Sequence, residues 1–363
     1  MRESQVLGLR AARQGLARPV RGEAGYRELF RRLQPVAPVF FSIPGSVPRL
    51  VHRTSFDDAE TADRLRRRRE LVKGRFGTGQ IGYVLAADLE VYATAFRQVP
   101  ARLGALERQV LEVLAATGPL SPRHLREETG ILNKHLMPAL HRLQRAFLVY
   151  EDQEDERWDR PWGLFASEWP HLELERQPWE VAAAAVVERF LEGYAFATEA
   201  QLRAWSGFPV GRLRRLLQQM QEAGSATACQ MNELGSGWVR PADCEVAALA
   251  PPPPPGVQVL HRADPLVRPE APRLRQQYRG REVLQYLCLD GALRGAVCGH
   301  WRIRAHDVDD VVVDLPEDEA GARRPEVLAA VARQYPSPGS RILKYCGRAL
   351  GERTPAPGAG PTP

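Results

Sequence analysis

Apolar positions in the middle of the chain follow a helical period, and the pattern is laid down twice. The stretch LERQVLEVLAATGPLSPRHLREETGILNKHLMPALHRLQRAFLVYED and the later EVAAAAVVERFLEGYAFATEAQLRAWSGFPVGRLRRLLQQMQEAGSATACQ align at an offset of 77 residues. Leu125 falls on Leu202, Gly130 on Gly207, Leu136 on Leu213, Leu140 on Leu217 and Leu143 on Met220. An offset of this length marks a duplicated small domain rather than a solenoid repeat. In each copy the spacing predicts a first helix, near 106–116 and 181–193. Ser121 or Thr198 then serves as N-cap of a short second helix, which Gly130 or Gly207 ends in the left-handed conformation. A longer third helix starts near Asn133 or Val210. Strand-like stretches follow, FLVYED with WGLFAS and SATACQM with GWVRP, and these pair as a wing. Helix, helix, helix, hairpin is the order of the winged helix, a helix-turn-helix variant whose third helix can enter the DNA major groove.

The N-terminal stretch MRESQVLGLRAARQGL predicts an amphipathic helix; it lacks the continuous apolar core of a signal peptide. DDAETADRLRRRRELV predicts a helix over 57–72, acidic at its start and basic at its end as the helix dipole favours. GTGQIG, residues 77–82, fits the dinucleotide pattern G-x-G-x-x-G, but no buried strand enters it and no helix starts at its last glycine. Ile81, Tyr83 and Leu85 alternate like a strand instead. The glycines therefore mark a β-hairpin tip, and no dinucleotide is expected. Asp88 is the predicted N-cap of the next helix, with Leu89, Tyr92 and Phe96 on one face.

Beyond a stiff polyproline segment, ALAPPPPPG at 248–256, the period changes to alternation. EVLQYLCLDGALRGAVCGHWRIR and DVDDVVVDL predict strands, with Asp290–Gly291 as a hairpin turn. RPEVLAAVARQY predicts a final helix, and GERTPAPGAGPTP a disordered tail. Asp307, Asp309 and Asp310 read as strand-edge and turn acids rather than a metal cluster. The fold class is thus α+β, mostly α, with tandem winged-helix units before a small β-rich C-terminal domain. Expected boundaries are 1–104 for an N-terminal winged-helix-like unit with the Gly-rich hairpin, 105–170 and 171–247 for two winged helices, 248–256 for the linker, 257–350 for the β-rich domain with its C-terminal helix and 351–363 for the tail.

Charge sharpens this. Residues 1–150 carry 25 Lys and Arg against 14 Asp and Glu, and the remainder 25 against 30. A basic N-terminal part points to a polyanion. Nearly all of the basic charge is arginine, which suits bidentate phosphate and guanine contacts, although a GC-rich genome also favours arginine. The five cysteines are odd in number, widely spaced and contain no C-x-x-C pair, which fits a reducing cytoplasm and argues against disulfides or structural zinc. No apolar run is long enough for a membrane span. His135 and His141 lack a third ligand at metal spacing, so neither metal nor cofactor is expected.

From about Gln5 to Leu315 the chain resembles the bacterial winged-helix DNA glycosylases of the AlkZ/YcaQ kind. ELVKGRFGTGQIGYVLAADLEVY is similar to that family's Arg-Gly-Thr-Leu-His hairpin and following helix. LRAWSGF and LRGAVCGHWRIR are similar to parts of its third unit and its β-domain. The resemblance implies three tandem winged helices, a small β-domain, double-stranded DNA as partner, a nucleoid-associated cytoplasmic location, and removal of alkylated or crosslinked bases, notably N7-linked purine adducts, by N-glycosidic hydrolysis. The family carries Gln-x-Gln or Gln-x-Asp after the second helix of its first unit, where a polar side chain holds or activates water beside an oxocarbenium-like sugar. Gln34 occupies the first position and is the candidate catalytic residue. Val36 occupies the second and cannot orient water. Thr78 stands where the family has arginine, and Gly82 where it has histidine. FFSIPGSVPRLVHR is also unlike the family in this region.

The candidate DNA contacts are Lys73, Arg75, Thr78, Gln80 and Tyr83 on the hairpin, Asn133, Lys134, His135 and Arg142 on one third helix, and Arg212, Arg214 and Arg215 on the other. For each helix residue a plain solvated face competes with DNA contact. Three readings stay open: a divergent glycosylase using another residue, with Gln34, Gln80 and Tyr83 as polar groups near its site; a DNA-binding paralogue without the chemistry; and a protein-interaction module built on tandem winged helices.

Overall fold

The structure is a computed structural model and describes residues 2–38, 46–152, 159–302 and 305–350. The tail at 351–363, all of FFSIPG, part of the first wing and part of GHWRIR lie outside the described residues. The chain forms two compact units: 1–254 together with 263–273, and 255–262 together with 274–363.

The first unit opens with α1 (Glu3–Arg13), α2 (Gly22–Leu33) and α3 (Asp58–Arg67), followed by the antiparallel hairpin β1 (Leu71–Phe76) and β2 (Gln80–Leu85) and by α4 (Leu89–Phe96). Tyr26, Leu29 and Phe30 of α2 and Leu65 of α3 close a core over Leu71, Tyr83 and Leu85 of the hairpin. The charge pattern predicts a longer α3, but the helix stops at Arg67. Leu71 and Val72 are then fully buried in strand register opposite Leu85 and Val84, so tertiary pairing overrides the local pattern. Helix α1 buries Val6 and Leu9 against Ala195, Phe196, Met231, Val239 and Ala247, far along the chain, rather than in the α2–α3 core.

The duplicated pattern folds twice. The first copy is α5 (Ala105–Thr117), α6 (Pro122–Thr129), α7 (Asn133–Arg145), β3 (Val149–Glu151) and β4 (Trp162–Leu164), with a short α8 (Phe165–Glu168) after it. The second is α9 (Trp179–Tyr194), α10 (Glu199–Ser206), α11 (Val210–Glu222), β5 (Thr227–Met231) and β6 (Gly235–Val239), followed by α12 (Asp243–Leu249). Ser121 accepts from the His124 amide and Thr198 from the Gln201 amide, and Gly130 and Gly207 end their helices at φ +69° and +71°. Both copies also tie the residue before the second helix to a wing tryptophan: Leu120 bridges Trp162, and Ala197 bridges Trp238. The paired apolar positions of the repeat, Leu125 with Leu202, Leu136 with Leu213, Leu140 with Leu217 and Leu143 with Met220, are all buried.

The second unit is an antiparallel sheet of β7 (Val257–His261), β8 (Val283–Leu289), β9 (Ala292–Cys298) and β10 (Asp310–Val313), in that order. It is extended by β11 (Lys344–Tyr345), parallel to β10, and by β12 (Arg348–Ala349). Helix α13 (Ala271–Gln277) precedes β8. Asp290 and Gly291 have φ of +50° and +81°, the two positive values that a tight hairpin turn requires. Val327, Ala330 and Val331 of α14 (Glu317–Gln334) pack on Leu287, Val297 and Val311. That helix starts well before Arg324, because Glu317, Asp318 and Glu319 place negative charge in its first turn. Two of the aspartates of this unit are ion-paired: Asp307 binds Arg341 at 3.0 Å, and Asp310 binds Arg281 at 3.0 Å.

Candidate nucleic-acid interface

The glycine stretch forms the hairpin turn. Gly77 and Gly79 have φ of +57° and +83°, and Thr78 and Gln80 are exposed at the tip. Gly82 lies inside β2, paired with Gly74 of β1. A β-carbon on Gly82 would come 3.0 Å from Cβ of Pro35, so bare backbone is what lets the 34–36 segment lie along the strand. Val36 exchanges both backbone hydrogen bonds with Tyr83, at 3.0 and 2.8 Å.

Gln34 follows α2 and its amide is occupied at both ends. Nε2 donates to Asp88 Oδ2 at 2.9 Å, and Oε1 accepts from the Leu85 amide at 2.9 Å. Tyr92 donates its hydroxyl to the Gln34 carbonyl at 3.4 Å. Asp88 sits at the N-cap of α4 as the sequence predicts, yet its carboxylate makes no cap bond. It holds Gln34, accepts from Arg31 Nε at 3.2 Å and is ion-paired to Arg189 at 2.7 Å. Val36 is 1% exposed and packs in the core with Tyr26 and Leu29.

The hairpin also carries a second charged cluster. Lys73 lies opposite Tyr83 and is buried against Glu151, which Arg160 also grips, Nε to Oε1 at 2.8 Å. Burial brings the Lys73 ammonium down to about 8, against the pull of Glu151. Burial alone would raise the Glu151 carboxyl, but Lys73 and Arg160 hold it below the ordinary carboxylate range. Burial pushes the Tyr83 phenol up to about 12, and burial followed by the nearby Arg75 charge brings His141 down to about 4. Arg75 donates to Gln144 Oε1 at 2.7 Å and to the Gly79 carbonyl at 3.1 Å.

The candidates on the third helices are placed differently. Asn133, Lys134 and His135 stand exposed side by side in the first turn of α7, while Leu136, Leu140 and Leu143 face the core. Arg142 is drawn to Glu107 at 2.7 Å. On α11, Arg212 stacks 3.7 Å from the Trp179 ring centroid, Arg214 binds Glu199 at 2.9 Å, and Arg215 is exposed, donating to the Gly211 carbonyl at 3.3 Å. The structure thus gathers Lys73, Arg75 and Tyr83 on one strand face and Asn133 to His135 on one helix turn. Gln34 lies in a separate network with Asp88. Sequence reading missed Arg31, Arg189 and Glu151. The arginine pair had a signal in the acid at 88, which starts a buried helix, whereas Glu151 lies 78 residues from Lys73 and had none.

No curated protein sequence matches the chain. Among solved structures the fold is similar to the Streptomyces sahachiroi DNA glycosylase AlkZ, with a TM-score of 0.67 and 19% identity, over 95% of this chain and 99% of that one. The sequence pattern of the family described as DNA glycosylase AlkZ-like matches residues 49–336, which leaves Gln34 and Val36 upstream of the matched span. With most of its length inside that match, the chain belongs to the AlkZ-like DNA glycosylase family.

Proposed function

We propose that this protein binds double-stranded DNA and does not hydrolyse N-glycosidic bonds through positions 34 and 36. The observation that carries this is the state of that pair. The Gln34 amide is bonded at both ends by the protein itself and the residue is 2% exposed, and Val36 is apolar and buried, so neither presents a group to water. We read 1–104, 105–170 and 171–247 as three winged-helix units, joined through 248–256 to a β-rich domain at 257–350. Asn133, Lys134 and His135 on α7, Arg212 and Arg215 on α11, and Thr78 and Gln80 at the hairpin tip are the proposed DNA contacts. Lys73, Arg75, Tyr83 and Arg142 act with them by fixing the hairpin and the helix face, and contribute positive potential toward phosphates. A nucleoid-associated cytoplasmic location follows from such a partner.

A second reading rests on one distance. Asp88 Oδ2 lies 2.9 Å from Gln34 Nε2, so a glutamine and a carboxylate meet in space although the sequence lacks Gln-x-Asp. In that reading the protein is a glycosylase whose second polar group comes from the start of α4.

One assay separates these readings. Purified protein is incubated with duplex DNA carrying a labelled N7-alkylguanine, and both abasic-site formation and a band shift are scored. Retention without abasic sites supports the DNA-binding reading. Abasic sites that vanish in both Gln34→Ala and Asp88→Asn support the second. The absence of both signals removes DNA of this kind and favours a protein partner, for which an exposed apolar patch would be the feature to seek.

A further inference from the structure

Among the described residues, the buried arginines of the first unit are compensated, with one exception. Arg53 is held by both oxygens of Asp264 at 2.7 Å, and Arg66 is paired with Asp63. Arg10 donates to the Tyr194 and Phe196 carbonyls and stacks on the Tyr194 ring, whose hydroxyl meets Glu270 at 3.2 Å. Arg268 is 7% exposed and, among the described residues, its side chain makes one hydrogen bond, from Nη1 to the Pro35 carbonyl at 3.1 Å; no carboxylate pairs with it. A buried cation without a counter-charge is costly, and burial alone brings this guanidinium down to about 10.

Its position is informative. The carbonyl it holds lies between Gln34 and Val36. On its other side, a β-carbon built on Gly77 would come 3.3 Å from Nη2, and the next residue, Thr78, is the exposed hairpin tip. Arg268 therefore sits where the 34–36 segment and the hairpin turn meet, with a planar fork of donors of which one is in use. A guanidinium fork matches a phosphate oxygen pair.

We infer that Arg268 is an anion site for a DNA backbone phosphodiester, beside the hairpin turn and the 34–36 segment. This rests on the DNA-binding reading above and names one of its phosphate contacts. The missing counter-charge is then supplied by the ligand, and the free protein carries an unpaired cation that binding relieves.

The test is the salt dependence of binding to an undamaged duplex, for wild type, Arg268→Gln and Arg268→Lys. Arg268→Gln should bind more weakly and lower the slope of log affinity against log salt by about one. Arg268→Lys, which keeps the charge, should retain the slope. The melting temperature of free Arg268→Gln should equal or exceed that of wild type, since an unpaired buried charge has been removed. An unchanged slope and affinity in Arg268→Gln, or a lowered melting temperature with an unchanged slope, would overturn the inference and leave Arg268 a clamp on Pro35. A second arm needs no DNA: inorganic phosphate, against chloride at equal ionic strength, should raise the melting temperature of wild type but not of Arg268→Gln. A positive phosphate arm without DNA binding keeps the anion site while the DNA reading falls. If Arg268→Gln does not fold, a wild type that phosphate fails to stabilise sinks the site.

Discussion

Gly77 at the hairpin turn and Gly207 at the C-cap of α10 face each other so closely that neither tolerates a β-carbon. One built on Gly207 would lie 2.9 Å from the Gly77 carbonyl oxygen, and one built on Gly77 would lie 2.7 Å from the Trp205 carbonyl oxygen. The hairpin is thus docked on the end of α10 by backbone contact. Gly79 is pressed in turn by the Arg145 side chain, 3.0 Å from where its β-carbon would be. The tip of a long hairpin is thereby held on both sides, with Thr78 and Gln80 presented outward.

The duplication supplies its own control for this contact. Gly130 ends α6 as Gly207 ends α10, at nearly the same φ, but nothing lies within 4 Å of its β-carbon position. Gly130→Ala should therefore cost only the left-handed strain, about 1–2 kcal/mol. Gly207→Ala should cost more, because the hairpin must also move. Urea unfolding of the two variants checks this. Equal losses would show that the Gly77–Gly207 contact carries no energy.

Restoring the family's histidine at position 82 should fail. The β-carbon of Gly82 would already press on Pro35, and a ring would force the 34–36 segment off the strand, breaking the Val36–Tyr83 pairing. Gly82→His should lower the melting temperature without any gain in base excision. Overpacking of this kind costs roughly 1–3 kcal/mol. A stable variant that releases N7-alkylguanine would show that the segment can shift and that a histidine at position 82 was the missing group.

The Gln34–Asp88 contact should behave as one unit. Gln34→Ala leaves the Leu85 amide without its acceptor and Asp88 without one donor, a loss of about 1–3 kcal/mol. Asp88→Asn also leaves Arg189 and Arg31 uncompensated. The double variant should lose less than the sum of the two single losses, since each single already disrupts the shared contact. Strict additivity in urea unfolding would separate the two residues energetically.

What the sequence disclosed is local. Ser121, Thr198, Gly130 and Gly207 act within a few residues of themselves, so their capping roles are written in the chain, and the apolar period around them places both helix triplets. Asp88 shows where that legibility ends. Its position at a helix start was readable, but its carboxylate turns to Gln34, 54 residues away, and to Arg189, 101 residues onward. The burial of Lys73 by Glu151 and the lone cation at Arg268 are equally products of tertiary assembly. In the sequence Lys73 looks like a phosphate contact because nothing nearby announces its partner.

The His141 environment gives a pH dependence of stability. Burial and the Arg75 charge lower its folded pKa to about 4, against an ordinary value near 6.5. Between those values the unfolded chain binds a proton that the folded chain does not, so stability falls as pH is lowered through that window. Below about 4 both states are protonated and the loss is complete. Carboxylates held low by arginines, such as Glu107 beside Arg142 and Asp243 beside Arg13, add to the fall as their own folded values are approached at lower pH. Between pH 7 and 5 the histidine should dominate. Replacing His141 with Gln should therefore flatten the decline in unfolding free energy across that interval, measured by urea titration at both pH values. If wild type and variant decline in parallel, the imidazole takes up its proton in the folded state near its ordinary pKa, and the cluster around Lys73 is more open to water than its packing indicates.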